Sequence, residues 1–516
     1  MALGATFAML TPTPVLTLLG VLLVVRIIYY HQFHPLSRYP GPTLAAQTYL
    51  WRVVTYFRGN QHLTDTRLHE RYGPIVRDGP NSLLFADPEA FKAIYSFNNF
   101  EKGDFYLGIN GEKRPIPSTA FIARSNEVHR AARKHLVAGF TTKAIASYEA
   151  VVAKNVREWI ESIGKRNGPD SEGLDLGPYI SRFVFDTMFE NAYGFSTGYT
   201  SAGADFDGGI QAKENVLRLA FGIGISPWLS NIFATKFVQK RIKAPTFDKK
   251  GNPVGVTALE KRAGQAVGQA RGPKLDNGQP TVLKNLMSYE PPESKVHEEG
   301  SNREAFNVIF AGTGTTSAAV TAVLYFLGQD LDWQSRVRSE ILSYVASSPT
   351  SLDGSNIPYN ALNRLPLFRA TVKESLRLAP PFPSAFQREI ASGVESTIPG
   401  LQGPLPRGTR IASNLYVVAR SKEVYGRDAD EWRPERWVEA TVDEERRRKM
   451  EEAWGVFGRG SRMCVGKDLA LMVVNKGVAT LLLKYEIQAR NGDWKRQNNF
   501  EFQTEELKVV LKERTN

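Results

Sequence analysis

The sequence predicts a mainly α-helical domain with small β-sheets, carried behind an N-terminal transmembrane helix. Three observations predict it. Long stretches repeat their apolar residues at the helical period. Short apolar runs bounded by Gly, Pro and Asp occur in only a few places. The chain also carries no charged residue from Met1 to Val25.

The N-terminus comes first. Ala5 to Val25 supplies the ~20 apolar residues that a membrane span needs. Arg26 can snorkel to the interface, where Tyr29 and Tyr30 also belong. No basic residue precedes the run and no small-x-small cleavage site follows it, so a signal anchor fits better than a cleaved signal peptide. Arg26, His31, His34 and Arg38 follow the span, which places the rest of the chain in the cytosol. A reducing compartment agrees with a single cysteine. Phe33 to Pro42 is proline-rich and reads as a stiff hinge outside the core. The expected organisation is an anchor over residues 1–30, a proline-rich hinge over 31–45 and one large domain over 46–516.

Within that domain, residues 60–72 predict an amphipathic helix and residues 75–86 a short hairpin. Helical periods dominate from Asn126 to about Phe195. Lys295 to Asp330 predicts one long helix, and Leu367 to Leu378 another, with Pro366 in its first turn and Pro380-Pro381 closing it. Strands are expected at Ala385–Ile390, at Arg410–Val417 and near the C-terminus. No repeat or linker follows residue 45, so the three domains suggested by length are set aside.

Composition excludes several function classes. Hydrophobic residues at 42% and charged residues at 23% rule out a disordered or collagen-like chain. One cysteine rules out intrachain disulfides, Cys-rich zinc modules and iron–sulfur clusters, and no HExxH pair occurs. The net charge of +12 favours acidic partners.

The cysteine lies in Phe457-Gly458-Arg459-Gly460-Ser461-Arg462-Met463-Cys464-Val465-Gly466, ahead of an apolar helical run from Leu469. A glycine-rich turn thus enters a helix, where backbone N–H groups and the helix dipole favour a thiolate. Gly460 and Gly466 let the backbone approach a flat partner. Phe-x-x-Gly-x-Arg-x-Cys-x-Gly resembles the haem-binding loop of the cytochrome P-450 family, the haem-thiolate monooxygenases. The resemblance implies the cytochrome P-450 fold, haem b (heme b, iron–protoporphyrin IX) as cofactor, and Cys464 as the axial ligand of its iron. Phe457, Gly460, Arg462 and Gly466 are implied as cofactor-binding neighbours.

Further matches follow in the family's order. Glu374 and Arg377 match Glu-x-x-Arg, and share a helix face at i,i+3. Pro434-Glu435-Arg436-Trp437 matches Pro-Glu-Arg-Phe, with Trp in place of Phe. The resemblance implies a buried, haem-supporting triad of Glu374, Arg377 and Arg436. Ala311-Gly312-Thr313-Gly314-Thr315-Thr316 matches the oxygen-side segment, with Thr315 as the catalytic threonine. Gly314 replaces the family's acid, which puts the usual acid–alcohol proton relay in doubt. A mid-helix threonine by default bonds its own i−4 carbonyl. The same segment also mimics strand–GxGxx–helix, with Asp330 farther on, so a nicotinamide-dependent dehydrogenase is a rival reading.

For the haem propionates the resemblance offers Arg462, His129 and Arg133 (matching Trp-x-x-x-Arg, with His for Trp) and Arg388. The substrate pocket is expected from Phe105, Phe121, Phe306, Phe310, Ala311, Phe382 and Phe386. Its apolar character implies a greasy small-molecule substrate. The reaction implied is insertion of one oxygen atom from O2, by hydroxylation or epoxidation. A haem-thiolate isomerase or dehydratase is the alternative. No flavin or nicotinamide domain is present, so electrons come from NADPH through a separate NADPH–haemoprotein reductase. Arg446-Arg447-Arg448-Lys449 is a candidate docking run for it. Gly222 to Phe233, followed by Lys236, Lys240, Arg241 and Lys243, has the composition of a second membrane contact. Microsomal members of this family sit on the endoplasmic reticulum membrane, with the catalytic domain cytosolic. The hinge is most like those of fungal members that tailor secondary metabolites. No nucleic acid partner is implied.

Overall fold

A computed structural model describes residues 12–96, 100–106, 119–165, 173–233, 235–242, 244–270, 278–289, 295–349, 351–391, 398–438, 442–490, 492, 494, 496–503 and 506–514. Helices dominate. The longest, Lys295–Gln329, runs through the centre and packs on Gly177–Tyr193, on Pro366–Leu378 and on Lys467–Lys484, the helix that follows the cysteine loop. Its C-terminal half is mostly apolar, and Ala318, Val320, Val323, Leu324 and Leu327 are buried. These join Trp159, Phe183, Trp333, Val478 and Leu482 in the main core. Local signals set the ends. Ser125 accepts from Val128 N (3.2 Å) to cap Asn126–Leu136, and Asp330 accepts from Trp333 N (2.8 Å) to cap Leu331–Ser347. Pro366 occupies the first turn of Pro366–Leu378, as expected.

Among the described residues the strands are β1 (Ile75–Gly79), β2 (Ser82–Phe85), β3 (Glu101–Lys102), β4 (Leu174–Asp175), β5 (Arg388–Glu389), β6 (Arg410–Ser413), β7 (Tyr485–Ala489), β8 (Asn498–Asn499), β9 (Glu501–Phe502) and β10 (Lys508–Glu513). They form a sheet of order β1-β2-β6-β5-β3, a sheet of order β4-β10-β7 and the hairpin β8-β9. In the first sheet, β1-β2 is the expected hairpin, and β2 pairs in parallel with β6. The predicted strand at 410–417 ends at Ser413, because the Asn414 side chain caps a helical turn, Leu415–Val418. The sheet covers a second core of Leu83, Phe85, Phe91 and Ile411.

At the N-terminus, helix Pro12–Ile28 continues as a π-helical turn, Tyr29–Phe33. Residues 14–33 are long and apolar enough to cross a membrane, and none of them is buried. The other helix that passes the same length and hydropathy test, residues 299–329, is the central one and is mostly buried. Arg26 lies 4.7 Å from the Tyr30 ring and donates to the Gln47 carbonyl (2.7 Å). The stretch expected as a hinge outside the core is docked instead. Leu36 and Tyr39 are buried in the sheet's core, and Pro40 O accepts from Arg77 N (2.8 Å). Proline stiffness and burial of the two apolar residues act together there.

Candidate functional site

The cysteine loop folds as its glycines require. Gly458 and Gly460 take φ of 72° and 66°, a left-handed region that Cβ-bearing residues avoid. Cys464 N donates to Phe457 O (2.8 Å), which closes the loop before Lys467–Lys484 begins. The Phe457 ring rests on Trp454. A Cβ on Gly466 would meet only Phe140, at 3.8 Å, so the chain itself does not require glycine there.

The Cys464 sulfur is surrounded by protein, yet the residue is solvent-accessible. Burial pushes its thiol above the ordinary value, against the pull of the Gly466 N–H and the Arg133 charge. Desolvation thus opposes the local donors that the helix terminus and Arg133 supply. A thiolate at this position needs a cation facing it, and a porphyrin iron supplies one.

Cations gather beside the cysteine loop. Arg388 is buried on β5, and Arg462 donates to the carbonyls of Ala123 (2.7 Å) and Arg124 (2.8 Å). Arg462 is lowered to about 10 by burial and by Arg388. Arg133 donates to Met463 O (2.7 Å), next to the cysteine. Lys102, on β3, was not anticipated. It is 5% exposed, sits 4.1 Å from the Tyr106 ring and donates to Phe121 O. Burial, with Arg388 and Arg462, holds it well below its ordinary value. His129 is brought into the same group, but it is pushed down to about 3 by burial and by these charges. It is a neutral hydrogen-bonding group at pH 7, not a fifth cation. Glu101 acts on Arg462 but leaves positive charge in excess. An uncompensated buried cluster is costly unless an anion joins it. Two propionates beside a thiolate-bound iron meet that need, and the donor set fits haem.

Glu374, Arg377 and Arg436 come together fully buried. Arg377 Nη2 and Nε reach Glu374 Oε1 and Oε2 at 2.8 Å each, and Arg436 Nε reaches Oε1 at 2.8 Å. Burial alone raises the carboxyl, but the two guanidiniums outweigh it and hold it below the usual range. Arg377 Nη1 also donates to Ala419 O and Ala429 O (2.6 Å each), and Arg436 to Tyr425 O (2.7 Å) and to the Asp428 carboxylate. Trp437 explains its departure from Phe: its Nε1 donates to Glu374 Oε2 at 2.9 Å. Trp454 Nε1 donates to Lys373 O (2.9 Å), which ties this helix to the segment entering the cysteine loop.

Ala311 to Thr316 lies inside the long helix, not at a strand–helix turn. The dinucleotide-binding reading fails there, and Asp330 is a helix cap. Thr315 Oγ1 donates to Ala311 O (2.7 Å), as its position predicts. Ala311 is exposed, between half-buried Phe310 and Gly312.

Of the expected pocket residues, Phe105, Phe121, Phe382 and Phe386 meet in one aromatic cluster. The structure adds Tyr106, Phe221 and Phe500. Phe500, with φ of 85° in the β8-β9 turn, stacks on Phe221 and lies 4.3 Å from Phe382 between ring centroids. Phe306 departs from this group. Its ring meets Phe310 at a tilt (5.1 Å between centroids) and packs on the cluster of Phe185 and Phe189. Nearby, Glu304 is 4% exposed, and its Oε1 accepts from Ala120 N (2.7 Å). Burial raises it to about 7.

Two surface expectations change. Arg448 pairs with Glu452 (2.9 Å), Lys449 with Glu445 (3.0 Å), and Arg446 and Arg447 donate to the carbonyls of Tyr425 and Trp437. Arg448 and Lys449 are thus paired on their own helix, while Arg446 and Arg447 bond neutral carbonyls and keep their charge. A recess of about 520 Å³ beside Phe457, Gly460 and Met463 carries Arg369, Lys373, Arg459 and Lys467 instead. Of the expected membrane patch, Gly222 to Ser226 is buried. Trp228, Ile232 and Phe237 remain exposed, together with Leu50, Val54 and Phe57 from helix Leu50–Phe57. Lys243 and the Lys236 side chain lie outside the described residues.

The family model for cytochrome P450 matches residues 40–513. A cytochrome P450 monooxygenase of Aspergillus terreus is 29% identical over 497 residues, which cover 93% of this chain and 96% of that protein. The cytochrome P450 monooxygenase gsfF of Penicillium aethiopicum is 30% identical over 475 residues, 90% of each chain. The cytochrome P450 monooxygenase mpaDE of Penicillium roqueforti is 28% identical over 493 residues; these are 94% of this chain but 56% of that longer protein. The cysteine loop, the buried carboxylate with its two guanidiniums and the family match over nearly the whole domain agree, and the chain belongs to the cytochrome P450 family, the haem-thiolate monooxygenases.

Proposed function

We propose that the protein is a membrane-anchored monooxygenase that binds haem b through Cys464. It inserts one oxygen atom from O2 into an apolar small molecule and releases the other as water. The two electrons come from NADPH through a separate reductase. Haem bound by a thiolate supplies the oxidising chemistry, because the sulfur pushes electron density onto iron and favours O–O cleavage.

The chain's own residues do the rest. Arg462, Arg388 and Lys102 offer charge to the propionates, with Arg133 between them and the sulfur, and His129 offers a hydrogen bond. The Glu374, Arg377 and Arg436 triad, through Trp454, braces the loop that carries Cys464. Thr315 spends its hydroxyl proton on Ala311 O, so its oxygen is an acceptor for water and the proton must come from elsewhere. The aromatic cluster around Phe382 and Phe500 excludes water and suits a flat or greasy substrate. Residues 1–30 anchor the protein in the endoplasmic reticulum membrane, with Trp228, Ile232 and Phe237 as a second contact. The mould relatives and the hinge sequence support a role in fungal secondary metabolism.

The observation that carries this reading is the solvent-accessible Cys464 beside an excess of buried and half-buried cations. The test is the reduced, carbon-monoxide difference spectrum of the purified full-length protein. A thiolate-type spectrum is expected, lost in Cys464→Ala. Pigment and turnover surviving that substitution would overturn the assignment. Product formation that requires O2 and NADPH excludes the isomerase and dehydratase alternative.

A further inference from the structure

The long helix lacks a carboxylate at Gly314, yet the space such a side chain would use is filled. A Cβ built on Gly314 overlaps the carboxylate of Glu501, both oxygens included. Glu501 arrives from β9, far away in sequence, and is 8% exposed. Its Oε1 accepts from Lys213 Nζ at 2.8 Å, and Lys213, on helix Gly209–Gly224, is 1% exposed. The hairpin that delivers it is fixed at several points. Asn498 N donates to Gly59 O (2.7 Å), Phe502 N to Pro381 O (3.0 Å) and Gln503 N to Gln497 O (3.0 Å). The Phe502 ring packs edge-on against His62. Phe500 turns the hairpin at positive φ, which aims residue 501 back toward the helix.

A polar cleft leads to this carboxylate. It is lined by Lys213, Glu501, Thr313 and Gly314, and its accessible volume is about 90 Å³, room for a few waters. Gln211, Asn215 and Arg218 stand at its exposed end. A buried ion pair that served packing alone gains little over apolar residues of the same shape. Placed at the one helix position where the family carries an acid, it has a chemical use.

We propose that Glu501, held by Lys213, supplies from the C-terminal hairpin the carboxylate that the long helix lacks, and relays solvent protons from the Gln211–Asn215–Arg218 cleft toward Thr315. The inference rests on the monooxygenase reading above. The relay is conservative. The carboxylate gains a proton from cleft water as it gives one to water beside Thr315, so its own charge is restored. No bond to carbon changes, and the protons taken up are those the reduction of O2 by NADPH requires. Glu501 is a positioning and proton-relaying group, and Gly314 is glycine because Glu501 needs its space.

The test uses full-length, haem-loaded enzyme with reductase in phospholipid vesicles and no added substrate. It reads NADPH oxidation in H2O and in D2O, the rate of appearance of the ferrous carbon-monoxide spectrum, and the melting temperature. In Glu501→Gln, which keeps the shape, NADPH oxidation should fall at least tenfold and its solvent isotope effect should rise at least twofold. The carbon-monoxide spectrum should appear at the wild-type rate. Gly314→Asp alone should lower the melting temperature, because the new side chain collides with Glu501. The double variant Gly314→Asp/Glu501→Ala should recover both the melting temperature and most of the oxidation rate lost in Glu501→Ala. Wild-type oxidation rate and isotope effect in Glu501→Gln would overturn the proposal, as would a double variant that melts no higher than Gly314→Asp. Absence of a thiolate-type spectrum in the wild type would overturn the underlying monooxygenase reading instead.

Discussion

Glu374→Gln isolates the buried charge that holds the cysteine loop in place. The carboxylate accepts five hydrogen bonds: Arg377 Nη2, Arg436 Nε and Arg433 N at Oε1, and Arg377 Nε and Trp437 Nε1 at Oε2. A glutamine offers a single acceptor oxygen. Its NH2 must then face at least two donors, and two guanidiniums that are 0% and 2% exposed lose their shared anion. Asp428, 3.2 Å from Arg436 Nη2, answers only one of them. Removing one partner of a buried pair costs about 3–5 kcal/mol. Unfolding entropy is ~2 cal/mol/K per residue, so for a domain of roughly 470 residues each kcal/mol moves the midpoint by about 1 °C. The melting temperature of the haem-loaded variant, followed by far-UV circular dichroism in detergent, should fall by about 3–5 °C. The wild type should also lose this contribution in acid. The folded carboxyl titrates below its ordinary value, so the stabilisation is complete above about pH 4.5 and disappears as pH falls through the lower folded value. A Glu374→Gln midpoint within 1 °C of wild type at pH 7, with haem retained, would refute the reasoning.

Trp437→Phe, which restores the family's residue, removes one bond to a charged acceptor and should cost about 1.5–3 kcal/mol with the carbon-monoxide spectrum kept; thermal melting checks it. Glu304→Gln tests the raised carboxyl. With a folded value of about 7 against 4.5, the folded state holds the extra proton between those values, so stability falls as pH rises through that window by about 3 kcal/mol. The variant should therefore gain stability over wild type at pH 8 and almost none at pH 5, and an equal gain at both would refute the burial argument. Lys102→Met should act in opposite directions on the two forms. It should raise the melting temperature of haem-free protein by relieving cation crowding, and speed haem transfer to an acceptor protein by weakening propionate binding.

Much of this protein was legible in its sequence because the signals are local. The cysteine loop, the i,i+3 pair of Glu374 and Arg377, the Pro366 start and the central helix each depend on residues within a few turns of one another, where backbone geometry leaves few options. The same holds for the failure of the dinucleotide reading. A helical period continues unbroken through Gly312 and Gly314, and the structure keeps it as one helix. Only the tertiary structure decided what meets across the chain. Arg448 and Lys449 found carboxylate partners on their own helix. Leu36 and Tyr39 docked where a stiff hinge outside the core was expected. Lys102, Phe500 and Glu501 carried no local mark at all. Arg388 and Arg462 beside Lys102, Phe221 beside Phe500 and Lys213 beside Glu501 all come from distant segments, and desolvation and Coulomb interactions depend on distance in space, which sequence order does not encode.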